Sequence, residues 1–398
     1  MYNICFIFIL FLLVIYLRRS TSTIRLTGGY TRYPKFCCDV DPIPMTKSQV
    51  VQKIKSPNID KDTKFLYKVM SEPNIRMIIS FDKSIVVNNI IYRKKVTNIN
   101  EQHGRNIFYQ LAVMNGHSIE AYPRKDNYSI DVYFVDSIDT KNEDVIITTN
   151  FYNTVIGAKL MLNKNSLEVL KYQNLDNFNA YRMKDSRSML NKFINILNED
   201  CSLAKQEDII CYHGIIAYYL GLRPITDVDC SVKDDKVYAT LRNYDWIDPV
   251  NLLALSEQKE RWVQSVLDST KLKNFDEIMY NPKNYMYILG IKCFSLDINM
   301  IQRYFRQRPK AVGEIIAFNT LNKKQYPIPP IPNIYVLSDR NTQIMELEIE
   351  LFKFTDDTYP VDKNRYLKTI LYYLRSLYKI YKFNNIHELE EYLIKYSL

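Results

Sequence analysis

Asp227 and Asp229 stand two residues apart in the stretch ITDVDCSV, residues 225–232, of a chain of 398 residues. Side chains alternate across a strand, so this spacing puts both carboxylates on one face at the strand's beginning. A pair so placed can hold Mg²⁺ or Mn²⁺ through hard oxygen ligands. The chemistry such a pair serves is in-line phosphoryl or nucleotidyl transfer, with metal ions stabilising the attacking and leaving oxygens. The same D-x-D also fits a clamp on a sugar nucleotide in a glycosyltransferase, or plain aspartates at the end of a solvated strand.

The neighbouring elements decide what surrounds the pair. Ile209 to Tyr212 is a short apolar run that ends at His213-Gly214, and IIAYYLG predicts a two-turn helix closed by Gly221. A turn at Arg223-Pro224 returns the chain to the aspartates, which places them beside the start of that helix. KVYATLRNY predicts the second strand of a hairpin with DVDCSV, turning at Asp234-Asp235, and Asp248-Pro249 predicts the cap and first position of a long helix through Trp262. Further on come a strand pair turning at Gly290, Ser295 as a helix cap, and a helix carrying Met300, Ile301, Tyr304 and Phe305. Arg303, Arg306, Arg308 and Lys310 form a basic cluster that suits phosphates or a solvated face.

His213-Gly214-Ile215, followed by Asp227-Val228-Asp229-Cys230, resembles the signature of the nucleotidyltransferase fold superfamily, the group of DNA polymerase β and the poly(A) polymerases. That pattern is a hydrophobic residue, Gly, Gly or Ser, about a dozen residues, then Asp-hydrophobic-Asp/Glu-hydrophobic. Ile215 departs from it where the family has a small residue, and His213 stands where many members have an apolar one. The resemblance implies a mixed sheet with helices, a Mg²⁺ or Mn²⁺ cofactor on Asp227 and Asp229, and Asp297 as the third carboxylate. His213, Gly214, Arg223, Arg306 and Arg308 are the expected contacts to a nucleotide or nucleotide-activated donor. Asp297 also reads as an ordinary first-turn helix residue favoured by the helix dipole. Within the superfamily the LicD and fukutin type, which modifies glycans with phosphate-linked groups, suits a membrane-anchored chain. A non-catalytic envelope or membrane protein keeping an inactive transferase core is a further reading, to which Ile215 points.

The whole chain reads as α+β in five parts. Residues 1–19 carry an uncharged apolar run, Ile4 to Leu17, that stops at Arg18-Arg19 and predicts a single-pass membrane anchor. The arginines after it put the bulk of the chain on the cytoplasmic side. Residues 20–57 read as a stalk and 58–180 as an α+β domain with strands at Ile75–Phe81, Ile130–Val135 and from Val145. Residues 181–335 make the nucleotidyltransferase-like domain, and 336–398 a helical region whose amphipathic helices pack on the preceding domain.

Composition removes other chemistries. Four His without paired ligand spacing argue against a zinc hydrolase, and seven Cys without a C-x-x-C argue against zinc modules and disulfide frameworks. Nine Gly leave no Walker A or G-x-G-x-x-G loop. The net charge of +9 is dispersed; it permits a nucleic-acid partner and points to none.

Overall fold

A computed structural model describes residues 41–398 apart from 57, 82–84, 116–126, 138–144, 307, 323, 332–362, 378–382 and 397–398. The expected anchor, residues 1–19, lies outside the described residues. Among the described residues no helix is long and apolar enough to cross a membrane. The later part of the expected stalk is a helix, Lys47–Ile54, because Thr46 and Gln49 close a capping box at its start.

The fold is α+β with two sheets. In the first, β1 (Arg76–Phe81), β2 (Ile90–Ile99), β3 (Tyr128–Val135) and β4 (Val145–Ile147) pair antiparallel in the order β2-β3-β1-β4. β1, β3 and β4 fall on the β-branched runs that predict them. β2 carries Arg93-Lys94-Lys95, and its Arg93 forms an ion pair with the buried Asp131 of β3 at 2.9 Å. Asp131 is therefore a paired residue inside the sheet.

The second sheet holds the candidate chemistry. β5 (Ile209–Cys211), β6 (Val228–Val232), β7 (Ile247–Asn251), β8 (Tyr285–Ile288) and β9 (Ile291–Phe294) run in the order β7-β6-β5-β9-β8. β6 is antiparallel to β5 and parallel to β7, and β5 is parallel to β9, so the sheet is mixed. β8 and β9 turn through Leu289 at φ 52° and Gly290 at φ 85°, two positive values that fit a tight hairpin and favour glycine at the second position.

Two expectations fail between β6 and β8. KVYATLRNY is not a strand: Asp234 accepts from the N–H groups of Lys236 and Val237 and caps a helix, Asp235–Leu241. That helix is the crossover of a parallel unit, so the partner of β6 is the segment Ile247–Asn251. Asp248-Pro249 accordingly lies in β7, and the long helix begins later, at Glu257. β7 is an edge strand, which tolerates the missing N–H of Pro249.

One apolar core runs through both halves of the chain, across residue 180 without a break. Buried charge spans the same seam. Lys159, on the helix Phe151–Leu162, donates to Gly290 O at 3.0 Å and pairs with Glu207 at 3.5 Å. Glu207 also meets Lys292 of β9 at 3.0 Å and accepts from the Tyr287 hydroxyl at 2.7 Å. The C-terminal helices Lys363–Ser376 and Ile386–Tyr396 pack on each other, and the first covers the helix Pro309–Leu321 as expected. Gly313 makes this approach close, since a Cβ there would meet Tyr373 Cδ1 at 2.5 Å.

Candidate active site

β6 and β7 deliver three carboxylates to one cleft. Asp229 registers with Asp248 across the parallel pair, and register partners on neighbouring strands point to the same face. Asp227 sits at the lip just before β6, exposed, with the Thr226 hydroxyl donating to its Oδ1 at 3.0 Å. Asp227, Asp229 and Asp248 all line a cleft of about 280 Å³. Asp229 is half-buried. Burial first, and Asp227 next, push its carboxyl up to about 6 against the pull of Arg303 and Arg306, with Asp248 adding to the rise.

The β6 end is fixed from behind. The Ile225 N–H donates to the Ser186 hydroxyl at 2.9 Å, and the Tyr212 N–H donates to Asp229 O at 3.2 Å. Ser186 lies inside the helix Lys184–Asp200 and anchors the segment that feeds the aspartates. Gly214 begins the helix Gly214–Tyr219, where a Cβ would meet Ile225 Cγ2 at 3.2 Å and Asp227 O at 3.5 Å. Its small size lets this helix lie against the start of β6. Ile215 is fully buried in the core, so its bulk stays out of the cleft.

Opposite the carboxylates stands a basic wall. Arg223, Arg303, Arg306, Arg308 and Lys310 all line the cleft. The buried Glu314 holds two of them, accepting from Arg223 Nε at 2.8 Å and pairing with Arg303 at 2.8 Å. Burial opposes the charge on Glu314, yet Arg303 and Arg223 outweigh it and hold the carboxyl below its usual range. Tyr373 donates to the same carboxylate at 3.2 Å, so the C-terminal helix supports this wall. No carboxylate of the described residues lies within ion-pair distance of Arg306. Burial and the neighbouring Arg303 and Arg308 lower its guanidinium to about 10. A half-buried cation without an ion pair, facing a cleft, suits an anionic group of a ligand.

His213 and Tyr212 form the floor. His213 has φ 57° and ψ −98°, and its ring is buried at 5% exposure. Tyr212 packs between Trp262 and Phe294 with ring centroids 5.0 Å away on each side. Trp262 is half-buried and lines the cleft.

The structure thus gathers Asp227, Asp229, His213, Arg223, Arg306 and Arg308 as the sequence suggests. Asp297 is not brought to them. It is exposed, accepting from Lys324 and from the Tyr326 hydroxyl at 2.6 Å each, and lies outside the cleft lining. Gly214 is also outside that lining, acting through backbone packing. The third cleft carboxylate is Asp248, which sequence reasoning missed because Asp-Pro imitates a helix start.

Oxygen donors converging with mutual repulsion are the donor set that Mg²⁺ or Mn²⁺ takes. Among the described residues no group of three or more His, Cys, Asp or Glu that could hold a metal ion is assembled. Asp248 faces Lys259, whose Nζ lies 3.3 Å from its Oδ1. Set against protein-family models, curated proteins and solved structures, the chain matches none.

Proposed function

We propose that this chain is a Mg²⁺- or Mn²⁺-dependent nucleotidyl- or phosphoryl-group transferase of nucleotidyltransferase type, working in the cleft between β6–β7 and the arginine wall. The observation that carries the reading is the register of Asp229 with Asp248 on parallel strands, with Asp227 at the lip, facing Arg306. Asp227 and Asp229 would hold the metal, and Asp248 would join them on exchanging Lys259. The metal supplies charge stabilisation to attacking and leaving oxygens. The protein's own part is to meet donor phosphates with Arg306 and the Glu314-braced Arg223 and Arg303. It also seats a base beside Tyr212 and Trp262, and keeps the carboxylates crowded until a cation joins them. Delivery to a membrane acceptor through residues 1–19 belongs to the same proposal. A D-x-D glycosyltransferase gains no support, since the sheet preceding β5 is antiparallel throughout rather than a nucleotide-binding parallel unit.

The test is transfer of label from each of the four α-labelled nucleoside triphosphates, with Mg²⁺ or Mn²⁺, to oligonucleotide, glycan and lipid acceptors. Activity lost in Asp229→Asn supports the reading; label transfer undiminished in that variant removes the cleft as its source.

A further inference from the structure

His213, which lines the cleft, carries a buried ring nitrogen without a hydrogen-bond partner among the described residues. Its backbone N–H donates to Asn299 Oδ1 at 3.3 Å, and because a peptide N–H can only donate, the Asn299 atom facing it is the oxygen. The same oxygen lies 3.4 Å from the ring Nδ1. Burial first, then Arg303 and Arg306, hold the imidazole well below its usual pKa, so it carries a single ring proton near pH 7. An oxygen beside Nδ1 puts that proton on Nδ1, which leaves the lone pair on Nε2. Among the described residues Nε2 has no hydrogen-bond partner, and it is buried. An orphan of this kind leaves the desolvation of a polar atom uncompensated. The backbone adds its own cost, since φ 57° with ψ −98° lies outside the wells open to a residue with a Cβ. Both costs fall on one residue, and that residue lines the cleft.

We propose that His213 Nε2 is the acceptor for a ribose hydroxyl of the nucleoside triphosphate bound in the cleft, an inference that rests on the nucleotide-dependent function proposed above. A phosphate oxygen cannot be its partner, because two acceptors repel; Nε2 takes an O–H or an N–H. The guanidiniums whose charge acts on the ring, Arg303 and Arg306, are those placed to meet phosphates. The donor therefore sits close to the phosphates in the same molecule, which in a nucleotide is the sugar. The base lies further along, at Tyr212 and Trp262. Selection works through a penalty: an analogue lacking the hydroxyl leaves the acceptor orphaned, and one that has it removes the cost. His213 is then a specificity-determining residue, and Asn299 positions it by fixing the tautomer.

The test is equilibrium binding of ATP, 2′-deoxy-ATP and 3′-deoxy-ATP to the full chain with Mg²⁺. The wild type is expected to bind one of the two deoxy analogues about tenfold or more weakly than ATP. His213→Asn keeps a donor for Asn299 but has no atom at the place of Nε2, and should bind all three within about twofold. His213→Gln, which returns a polar atom to that place, should recover part of the ratio. Equal affinity of the wild type for all three overturns the proposal and leaves the nucleotide reading standing, and so does a wild-type ratio in His213→Asn. Binding of none of the three overturns both. The wild-type comparison needs no variant, so it decides the matter even where a substitution prevents folding.

Discussion

Asp229 and Asp248 stand opposite one another across the parallel pairing of β6 and β7. Two carboxylates in register, with Asp227 beside them, repel each other, and Lys259 offsets the charge of Asp248 alone. Burial first and Asp227 next hold the Asp229 carboxyl up at about 6, and Asp248 adds a smaller share.

Asp229→Asn should therefore stabilise the metal-free protein while abolishing transfer. The folded carboxyl binds its proton more tightly than the unfolded one, so ionising it costs the folded state. That cost is absent below about pH 4, grows between about 4 and 6, and is complete above 6. Chemical denaturation at pH 8 should show the variant more stable by on the order of 1 kcal/mol, after discounting for partial exposure. The gain should vanish near pH 4. A variant less stable than the wild type at pH 8 would contradict the electrostatic account.

Asp248 and Asp297 separate by position. Asp248→Asn should lower transfer by on the order of a hundredfold, as loss of a charge-stabilising group does. Asp297→Asn should leave it within about twofold, because Asp297 serves Lys324 and Tyr326 outside the cleft. Steady-state rates with one donor and saturating Mg²⁺ check both. A large loss at Asp297 with none at Asp248 reverses the assignment.

Part of this was legible in the residues. The D-x-D spacing, the short helix after His213 and the hairpin at Gly290 follow from alternation, periodicity and turn chemistry, which act within a few residues. Asp248 was hidden because its meaning is set by a parallel partner about twenty residues away, while its local neighbour Pro249 imitates a helix start. The Glu314 clamp on Arg223 and Arg303 joins residues up to 91 apart in the chain, and no local pattern announces such a pair. Tyr373 reaches the same carboxylate from 59 residues away.

Glu314→Gln should be the most damaging substitution in the basic wall. It leaves Arg223 and Arg303 buried without their shared counter-charge, and removing one partner of a buried ion pair costs about 3–5 kcal/mol. A fall of that size in urea unfolding free energy is the expected outcome. A change under about 1 kcal/mol would show that solvent already screens both guanidiniums.

Arg306→Gln acts on ligand alone. With no carboxylate partner among the described residues to lose and its charge held in an unfavourable setting, the substitution should leave stability unchanged or slightly raised. Nucleoside triphosphate affinity should fall about tenfold or more, as expected for loss of a charge-assisted phosphate contact, and its salt dependence should weaken. Calorimetric titration at two ionic strengths reads both. Unaltered affinity would place the phosphates elsewhere.

The central claim is that the three carboxylates and the arginine wall form one metal-and-nucleotide site. Electron paramagnetic resonance of Mn²⁺ titrated into the full chain with and without a nucleoside triphosphate tests it most directly. Bound Mn²⁺ should tighten when nucleotide is present and be lost in Asp227→Asn and Asp229→Asn. Free Mn²⁺ at millimolar protein and nucleotide, or binding that survives both substitutions, would contradict it.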